Sequence, residues 1–363
     1  MAPETLTSHI KQVALDNGIV KVGVAARADL DGPPEADLDS ILPGATHAIS
    51  MVVVEPEDHI LDYLGKTDPA PYRSQFYENI QTIGRAGVAI AGELEALGHR
   101  ARAISPNGVY ANGSSIGHLL PPFSHRYAAH AAGVGSIALS GNIMTPEHGT
   151  RVYLGTVIAD APLVADGPLD ENPCDSCKMC IHACPTGFMS ETETVTFEMG
   201  GREITHAKKR SHARCGLCCS GFSGLSRDGR WSSLAPSLFE IPDDDDEAEQ
   251  MFRDLLAPRL MHLSQNPDKP NFMRLGSPVE GYELSEQGIL ARSEHDTHTT
   301  CGNCAIVCFE TKRQRARALK TLRTSGVVVG EHPDGTPVVC SAEEAEDYRA
   351  ANAPEWLPRS VAT

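Results

Sequence analysis

Cys174-Asp175-Ser176-Cys177-Lys178-Met179-Cys180-Ile181-His182-Ala183-Cys184-Pro185 decides how this chain is read. The spacing is C-x2-C-x2-C-x3-C with a proline directly after it, a ligand run of 4Fe–4S clusters. Two-residue gaps in tight turns present three thiolates to three corners of one cubane. The fourth cysteine, a helical turn further on, points away. Zinc rarely takes four thiols at this spacing ahead of a proline.

A cysteine that points away implies a second cluster, because in two-cluster ferredoxins the fourth cysteine of such a run ligates the other cubane. Cys301, Cys304 and Cys308 repeat the tail of the pattern, C-x2-C-x3-C, with Phe309 in place of the trailing proline. The missing member must come from Arg214-Cys215-Gly216-Leu217-Cys218-Cys219. The expected scheme is therefore crossed. Cys174, Cys177, Cys180 and Cys308 hold one cluster; Cys184, Cys301, Cys304 and one of Cys215, Cys218 or Cys219 hold the other, with Cys215 preferred. Cys340, after a predicted strand, reads as a small buried residue.

Eleven cysteines in a chain whose start, Met1-Ala2-Pro3-Glu4-Thr5, shows no export signal read as reduced thiols for metal chemistry. The expected location is cytoplasmic, and no stretch approaches the roughly 18 apolar residues of a membrane helix. The formal charge is -17, from 31 basic and 48 acidic side chains. Phosphate backbones bind by exchanging counterions for Lys and Arg, so nucleic acid is not the expected partner. One basic stretch, from Lys312 to Arg323, reads as a helix face serving local ion pairs or a docking partner. The acidic run Asp243 to Glu247 reads as a solvated loop or a helix start.

Up to about residue 170, helices and strands alternate. Residues 5–17 and 73–97 keep apolar positions at helical spacing, and a helix is expected over 124–132. Strands are expected at 20–24, 47–54, 99–104 and 151–159, with a turn at Ser105-Pro106-Asn107-Gly108. From 171 cysteine dominates and periodicity fades until about 305. Val327–Val329 and Val338–Val339 flank a turn at His332-Pro333-Asp334-Gly335, and Ser341 with Glu344 caps a last helix.

The segment Tyr127-Ala128-Ala129-His130-Ala131-Ala132-Gly133-Val134-Gly135, then Gly141-Asn142-Ile143-Met144-Thr145-Pro146-Glu147-His148-Gly149-Thr150-Arg151, runs into Leu154-Gly155-Thr156-Val157-Ile158-Ala159-Asp160-Ala161-Pro162-Leu163. This order resembles the cobalamin-binding domain shared by reductive dehalogenases and epoxyqueuosine reductases, where A-G-x-G, P-x-x-G-x-R and G-x-V-x-x-D-x-P-L precede the same cysteine run. The split cysteine pattern is also that family's arrangement.

The resemblance implies an α+β chain. A nitroreductase-like cobalamin-binding domain (1–170) would precede a bacterial two-cluster ferredoxin-like domain (171–325) with a long insertion at about 190–298. A hairpin and helix (326–363) would follow. It also implies an iron–sulfur oxidoreductase. A low-potential donor such as ferredoxin or flavodoxin would send electrons through the clusters to cobalt, for reductive, dehalogenation-like cleavage of a small substrate.

Gly133, Gly135, Ser136, Ser140, Gly141, Asn142 and Gly149 are the positions expected nearest the corrinoid. Reductive dehalogenases use a tyrosine with a basic partner as proton donor, which makes Tyr110, His125 and Tyr127 the catalytic candidates. Epoxyqueuosine reductases carry an aspartate at a position that falls near Leu119 here, in Gly117-His118-Leu119-Leu120-Pro121-Pro122, and continue into a basic tRNA-gripping region; only about 55 residues follow Cys308. The competing readings are an electron-transfer or activating protein without substrate chemistry of its own, and a flavin-binding reductase.

Overall fold

Strand β2 (His47–Val54) is the centre of the first half, because alternate side chains bury on both of its faces. The computed structural model describes residues 1–105, 114–265, 300–332, 335–351 and 357–358. β2 pairs antiparallel with β1 (Lys21–Ala26) on one side and with β6 (Val152–Ala159) on the other. β3 (Ala101–Ile104) pairs with β6, which gives a four-stranded antiparallel sheet in the order β1-β2-β6-β3.

Side chains two apart on a strand share a face. Ile49, Met51 and Val53 meet helices α1 (Pro3–Asp16) and α3 (Ala70–Ala96) through Leu6, Ile10, Ile83 and Ile90. Ala48 and Val52 face the short helix α4 (His125–Ala131) through Ala128, Ala129 and Ala132. Small residues on both sides let α4 lie close to the sheet. Ser124 caps α4, its hydroxyl accepting from the Tyr127 amide at 3.3 Å. Beyond α4 the chain forms the two-residue strands β4 (Ser136–Ile137) and β5 (Ile143–Met144), a tight hairpin around residues 138–142.

The cysteine-rich half is more regular than its sequence suggests. Helix α5 (Met179–His182) is followed by a long hairpin, β7 (Met189–Met199) with β8 (Arg202–Lys209). Then come α6 (His212–Cys219), strands β9 (Ser223–Leu225) and β10 (Ser232–Ser237), and α7 (Asp245–Gln265). The acidic run supplies the first turn of α7, where carboxylates suit the helix dipole. After the undescribed stretch come α8 (Asn303–Ile306) and α9 (Lys312–Thr324), then β11 (Val327–Glu331), β12 (Pro337–Cys340) and α10 (Ala342–Ala351). Ser341 and Glu344 form the expected cap, with the Ser341 hydroxyl donating to the carboxylate at 2.8 Å. The turn expected at residues 105–108 lies outside the described residues beyond Ser105.

The mixed helix and strand content agrees with the α+β expectation. The two halves are bound to each other from both sides. The helix α2 (Glu57–Gly65), unforeseen from sequence, joins Ile60, Tyr63 and Leu64 to Ala183, Ile306, Phe309 and Leu322 of the second half. In the other direction, Met199 and Ile204 of the β7–β8 hairpin enter the core of the first half.

Gly149 lies at the tightest point of this joint. Its φ is +59°, and a Cβ there would collide with the carbonyl of Cys308 and reach 2.9 Å from the Phe309 Cα. The neighbouring Thr150 amide donates to the Cys308 carbonyl at 2.8 Å. A left-handed conformation alone costs a non-glycine residue about 1–2 kcal/mol, and here the collision adds to it. Gly149→Ala should therefore lower the melting temperature by several degrees. Gly92→Ala on α3, whose Cβ would meet nothing within 4 Å, should leave it unchanged or raise it slightly. Calorimetry on both variants checks this; equal effects would contradict the account.

Candidate functional site

Two loops of matching conformation carry the thiols. Lys178 follows Cys177 in the left-handed region with φ 62° and leads into α5, which bears Cys180. Gly302 follows Cys301 with φ 105° and leads into α8, which bears Cys304. In both, a left-handed residue right after one cysteine swings the chain so that the next, three on, turns back toward it. Ser176, φ 55°, adds a second such bend ahead of Cys177. Non-glycine residues in this region store backbone strain and cluster at functional sites.

The thiols sort into two sets. Burial pushes Cys180 up to about 12, and the neighbouring Cys308, Cys174 and Cys177 push the same way. Cys308 is likewise raised by burial to about 12, opposed by the Arg315 guanidinium, with Cys174 and Cys177 beside it. In the other set burial raises Cys304, whose thiol neighbours are Cys184, Cys215 and Cys301. Cys184 is raised by burial too, against the Thr186 hydroxyl, and has Cys301 and Cys215 beside it. Cys184 and Cys308 thus each face the set to which their sequence neighbours do not belong.

Cys215 stands beside both Cys184 and Cys304. Cys219 approaches Cys215, sulfur to sulfur, at 3.5 Å, and Cys218 lies buried 3.2 Å from the Ser233 hydroxyl. Cys340 belongs to neither set; its thiol lies 3.8 Å from the Val327 carbonyl between β11 and β12.

The sets fit cubanes in a second respect: donors aim at the sulfurs. The amides of Leu139 and Phe188 reach Cys174 and Cys184 at 3.4 Å each. The Asn142 side-chain amide reaches Cys304 at 3.8 Å, and Arg315 reaches Cys177 at 3.6 Å. Hydrogen bonds of this kind tune cluster potentials. Arg315 is buried and bidentate to Asp175 at 2.8 and 3.2 Å, so it ties α9 to the first cysteine loop. Among the described residues no three His, Cys, Asp or Glu side chains close tightly enough to hold one ion. A cubane, with a metal corner for each thiolate, does not require that.

The seven positions expected at a corrinoid divide. The bare face of Gly133 is closed by the Gly167 carbonyl, and that of Gly135 by Ile143 and the Met144 carbonyl at 2.7 Å. With Gly149 against Cys308, these three glycines serve close packing of protein on protein. Ser136 is buried on β4. The Ser140 hydroxyl accepts from the Asn142 amide at 3.3 Å and shapes the loop. Gly141 differs: the atoms nearest a Cβ there belong to side chains, the Lys209 terminus at 2.9 Å and the His206 ring at 4.0 Å. The loop 140–142 therefore faces flexible side chains on one side and Cys304 on the other.

Of the catalytic candidates, Tyr110 lies outside the described residues. His125 has both ring nitrogens in use, Nδ1 with the Thr156 hydroxyl at 2.8 Å and Nε2 with the Ser105 carbonyl at 3.0 Å. A carbonyl cannot donate, so Nε2 carries the proton and Nδ1 accepts. Burial also holds the ring below its ordinary value. With both nitrogens engaged, the His125 ring ties α4 to β6 and to the end of β3, which speaks for packing over service as the basic partner of a tyrosine. Tyr127 is half-buried with its ring 5.5 Å from Phe197, and burial raises its phenol above the ordinary value.

Arg126 and His118 lie in the stretch that the sequence marks as the catalytic neighbourhood, but sequence reasoning missed Lys209, His206 and His212, which β8 and α6 bring to this loop. Lys209 is lowered to about 8 by burial and by Arg126, while Cys304 and Cys215 oppose the shift. His206 and His212 are lowered by burial, with Lys209 and Arg126 adding to it. His118 and His212 lie with ring centroids 6.2 Å apart. No described carboxylate pairs with Lys209. The only hint was the run Lys208-Lys209-Arg210, which says nothing of what it faces.

Two outcomes are expected. Anaerobically purified Cys215→Ser should keep about four irons and Cys219→Ser about eight; iron analysis showing the reverse would move the ligand to Cys219. Lys209→Met removes a positive charge beside the second set, so that cluster should become harder to reduce, by on the order of tens of millivolts. A redox titration with no negative shift would place Lys209 away from the cluster.

No family model matches the chain. The epoxyqueuosine reductase of Gloeobacter violaceus is 26% identical over 276 residues, covering 65% of this chain and 81% of that one. The epoxyqueuosine reductase of Bacillus subtilis is 45% identical over 66 residues, only 18% of this chain and 17% of that one. A crystal structure of an epoxyqueuosine reductase with a tRNA-Tyr epoxyqueuosine-modified stem loop aligns at TM-score 0.38 and 20% identity, covering 62% of this chain and 59% of that one. Among the described residues no helix is long and apolar enough to cross a membrane. By sequence, this chain is similar to the epoxyqueuosine reductases over about two thirds of its length, at 26% identity.

Proposed function

We propose that this chain is an iron–sulfur reductase that carries electrons one at a time through two 4Fe–4S clusters to a cobalamin held against the loop 140–142. Its task would be the reductive cleavage of a small substrate. The observation that carries the reading is the contact of Asn142 with Cys304, which joins the loop of the small-residue motif to a thiol of the second set. Residues 1–170 would serve as the cofactor domain, 171–325 as the cluster domain, and 326–363 as a closing hairpin and helix.

Ser136, Ser140, Gly141 and Asn142 are the positions left to meet the corrinoid, since Gly133, Gly135 and Gly149 face protein. Cobalamin, when bound, supplies a low-valent cobalt able to cleave a carbon–heteroatom bond. The chain's own part is placement and charge. Arg126 and Lys209 set a positive field beside the loop, which favours an anionic substrate or leaving group. Tyr127, its phenol kept protonated by burial, is the proton source we propose.

The second reading takes its motive from the relatives' name: reduction of an epoxide on a modified nucleoside in RNA. The stretch Gly117-His118-Leu119-Leu120-Pro121-Pro122, near which the resemblance would put an aspartate, holds no carboxylic acid and argues against it.

Anaerobic purification with cobalamin supplied should return about eight irons per chain together with cobalt, and a corrinoid spectrum in the denatured supernatant. A flavin spectrum, or no organic chromophore, would overturn the cobalamin assignment. With a chemical reductant the loaded protein should consume small halogenated or epoxide electrophiles and leave epoxyqueuosine-modified RNA unchanged; reduction of that RNA would replace the small-substrate reading.

A further inference from the structure

The helix α9 presents a charged face that the cluster chemistry leaves unexplained. At about 100° per residue, Lys312, Arg313, Arg317, Lys320 and Arg323 fall within one arc of about 140°, and all five are exposed. The opposite face, Arg315, Ala318 and Leu322, is buried. Among the described residues only Arg323 of the five has an ion pair, a loose one with Asp228 at 3.9 Å. The carboxylates nearest the helix are otherwise engaged: Glu57 accepts from Gln314 at 3.3 Å, and Asp175 holds Arg315. The chain as a whole carries a formal charge of -17, so four unpaired cations on thirteen residues are a local reversal of its surface.

Their position gives the reversal a use. Arg315, on the buried side of the same helix, lies 3.6 Å from the Cys177 sulfur. The loop it grips is at the surface, with Asp175, Ser176 and Lys178 exposed. The cationic face thus lies about one helix width, on the order of 10 Å, from the outer edge of the set Cys174, Cys177, Cys180 and Cys308, with Arg315 between them.

We infer that the exposed face of α9 is the docking surface for a small acidic one-electron carrier protein of the ferredoxin or flavodoxin class. The inference rests on the iron–sulfur reading above. The carrier would be oxidised by one electron and the adjoining cluster reduced by one, with no bond made or broken. Complementary charge steers such encounters and speeds association, more so at low salt. Electron transfer also falls off steeply with distance, so a carrier gains from docking beside a cluster ligand. RNA gains nothing from that neighbour.

The test uses the intact holoprotein and stopped-flow bleaching of the cluster absorbance. Reductants are a reduced acidic ferredoxin or, separately, reduced methyl viologen. Arg313→Glu, Arg317→Glu and Lys320→Glu combined should slow reduction by ferredoxin at least about tenfold at low ionic strength and abolish its fall with salt. Reduction by viologen should not slow. The corresponding three Gln substitutions, gentler on the fold, should give a smaller loss in the same direction. Charge reversals Arg102→Glu and Lys208→Glu, on β3 and β8, should have little effect. An unchanged ferredoxin rate, or an equal loss from the control reversals, overturns the inference. So does loss of tRNA stem-loop retention in a gel shift without loss of the ferredoxin rate. Wild-type protein bleached by viologen and not by ferredoxin defeats the docking surface alone; protein bleached by neither defeats the cluster reading.

Discussion

Eight thiols brought near one another in two groups resist their own assembly, because each must leave water and each thiolate would repel its neighbours. Cys180 and Cys308 show the scale of that resistance, both pushed up to about 12. Ligand thiols must lose their protons to bind metal, so iron binding has to supply the free energy that burial withholds. The fold lowers the remaining cost by local means. Left-handed residues follow Cys177 and Cys301, Arg315 offers a cation to Cys177, and amides of Leu139, Phe188 and Asn142 point at sulfur.

The crossing of Cys184 and Cys308 makes this assembly a joint property of distant segments. Cys184 lies in the loop after α5 and Cys308 in the loop after α8, so neither set closes until residues 174–184 and 301–308 are side by side. That constraint explains why so much of the chain packs across the middle. α2 and α9 clamp the cysteine loops from one side through Tyr63, Phe309 and Leu322. The Tyr63 hydroxyl donates to the Cys301 carbonyl at 3.1 Å. Gly149 and Thr150 bring the first half against the backbone at Cys308, and the β7–β8 hairpin reaches back to carry Lys209 beside Gly141. The first half and the clusters are held as one electrical object, with cations collected where the second set meets the loop 140–142.

The cysteine runs were legible in the sequence because spacing of a few residues is a covalent constraint that no distant contact can undo; the ligand scheme built on them is a proposal. The sheet of the first half was legible for a related reason: β2 buries both faces along a short run rich in apolar, β-branched residues, and its bounds fell where the pattern placed them. The β7–β8 hairpin was not legible. Met189–Met199 is mostly threonine and glutamate facing solvent, and only its ends bury. The site around Gly141 was half legible. Its small residues stood out, but three of the glycines fit protein backbone, a distinction that depends on what lies opposite. His125 looked available on a helix near the site, yet strands from elsewhere supply partners for both its nitrogens. Arg126 and Lys209 are 83 positions apart in the chain, and nothing local connects them.

The central claim, that the cysteines cross, is tested most directly by electron paramagnetic resonance of the reduced protein in four single variants. Cys177→Ser and Cys308→Ser should remove or alter one cluster signal, and Cys184→Ser and Cys304→Ser the other. If Cys184→Ser changes the same signal as Cys177→Ser, the sets do not cross and the account fails at its base.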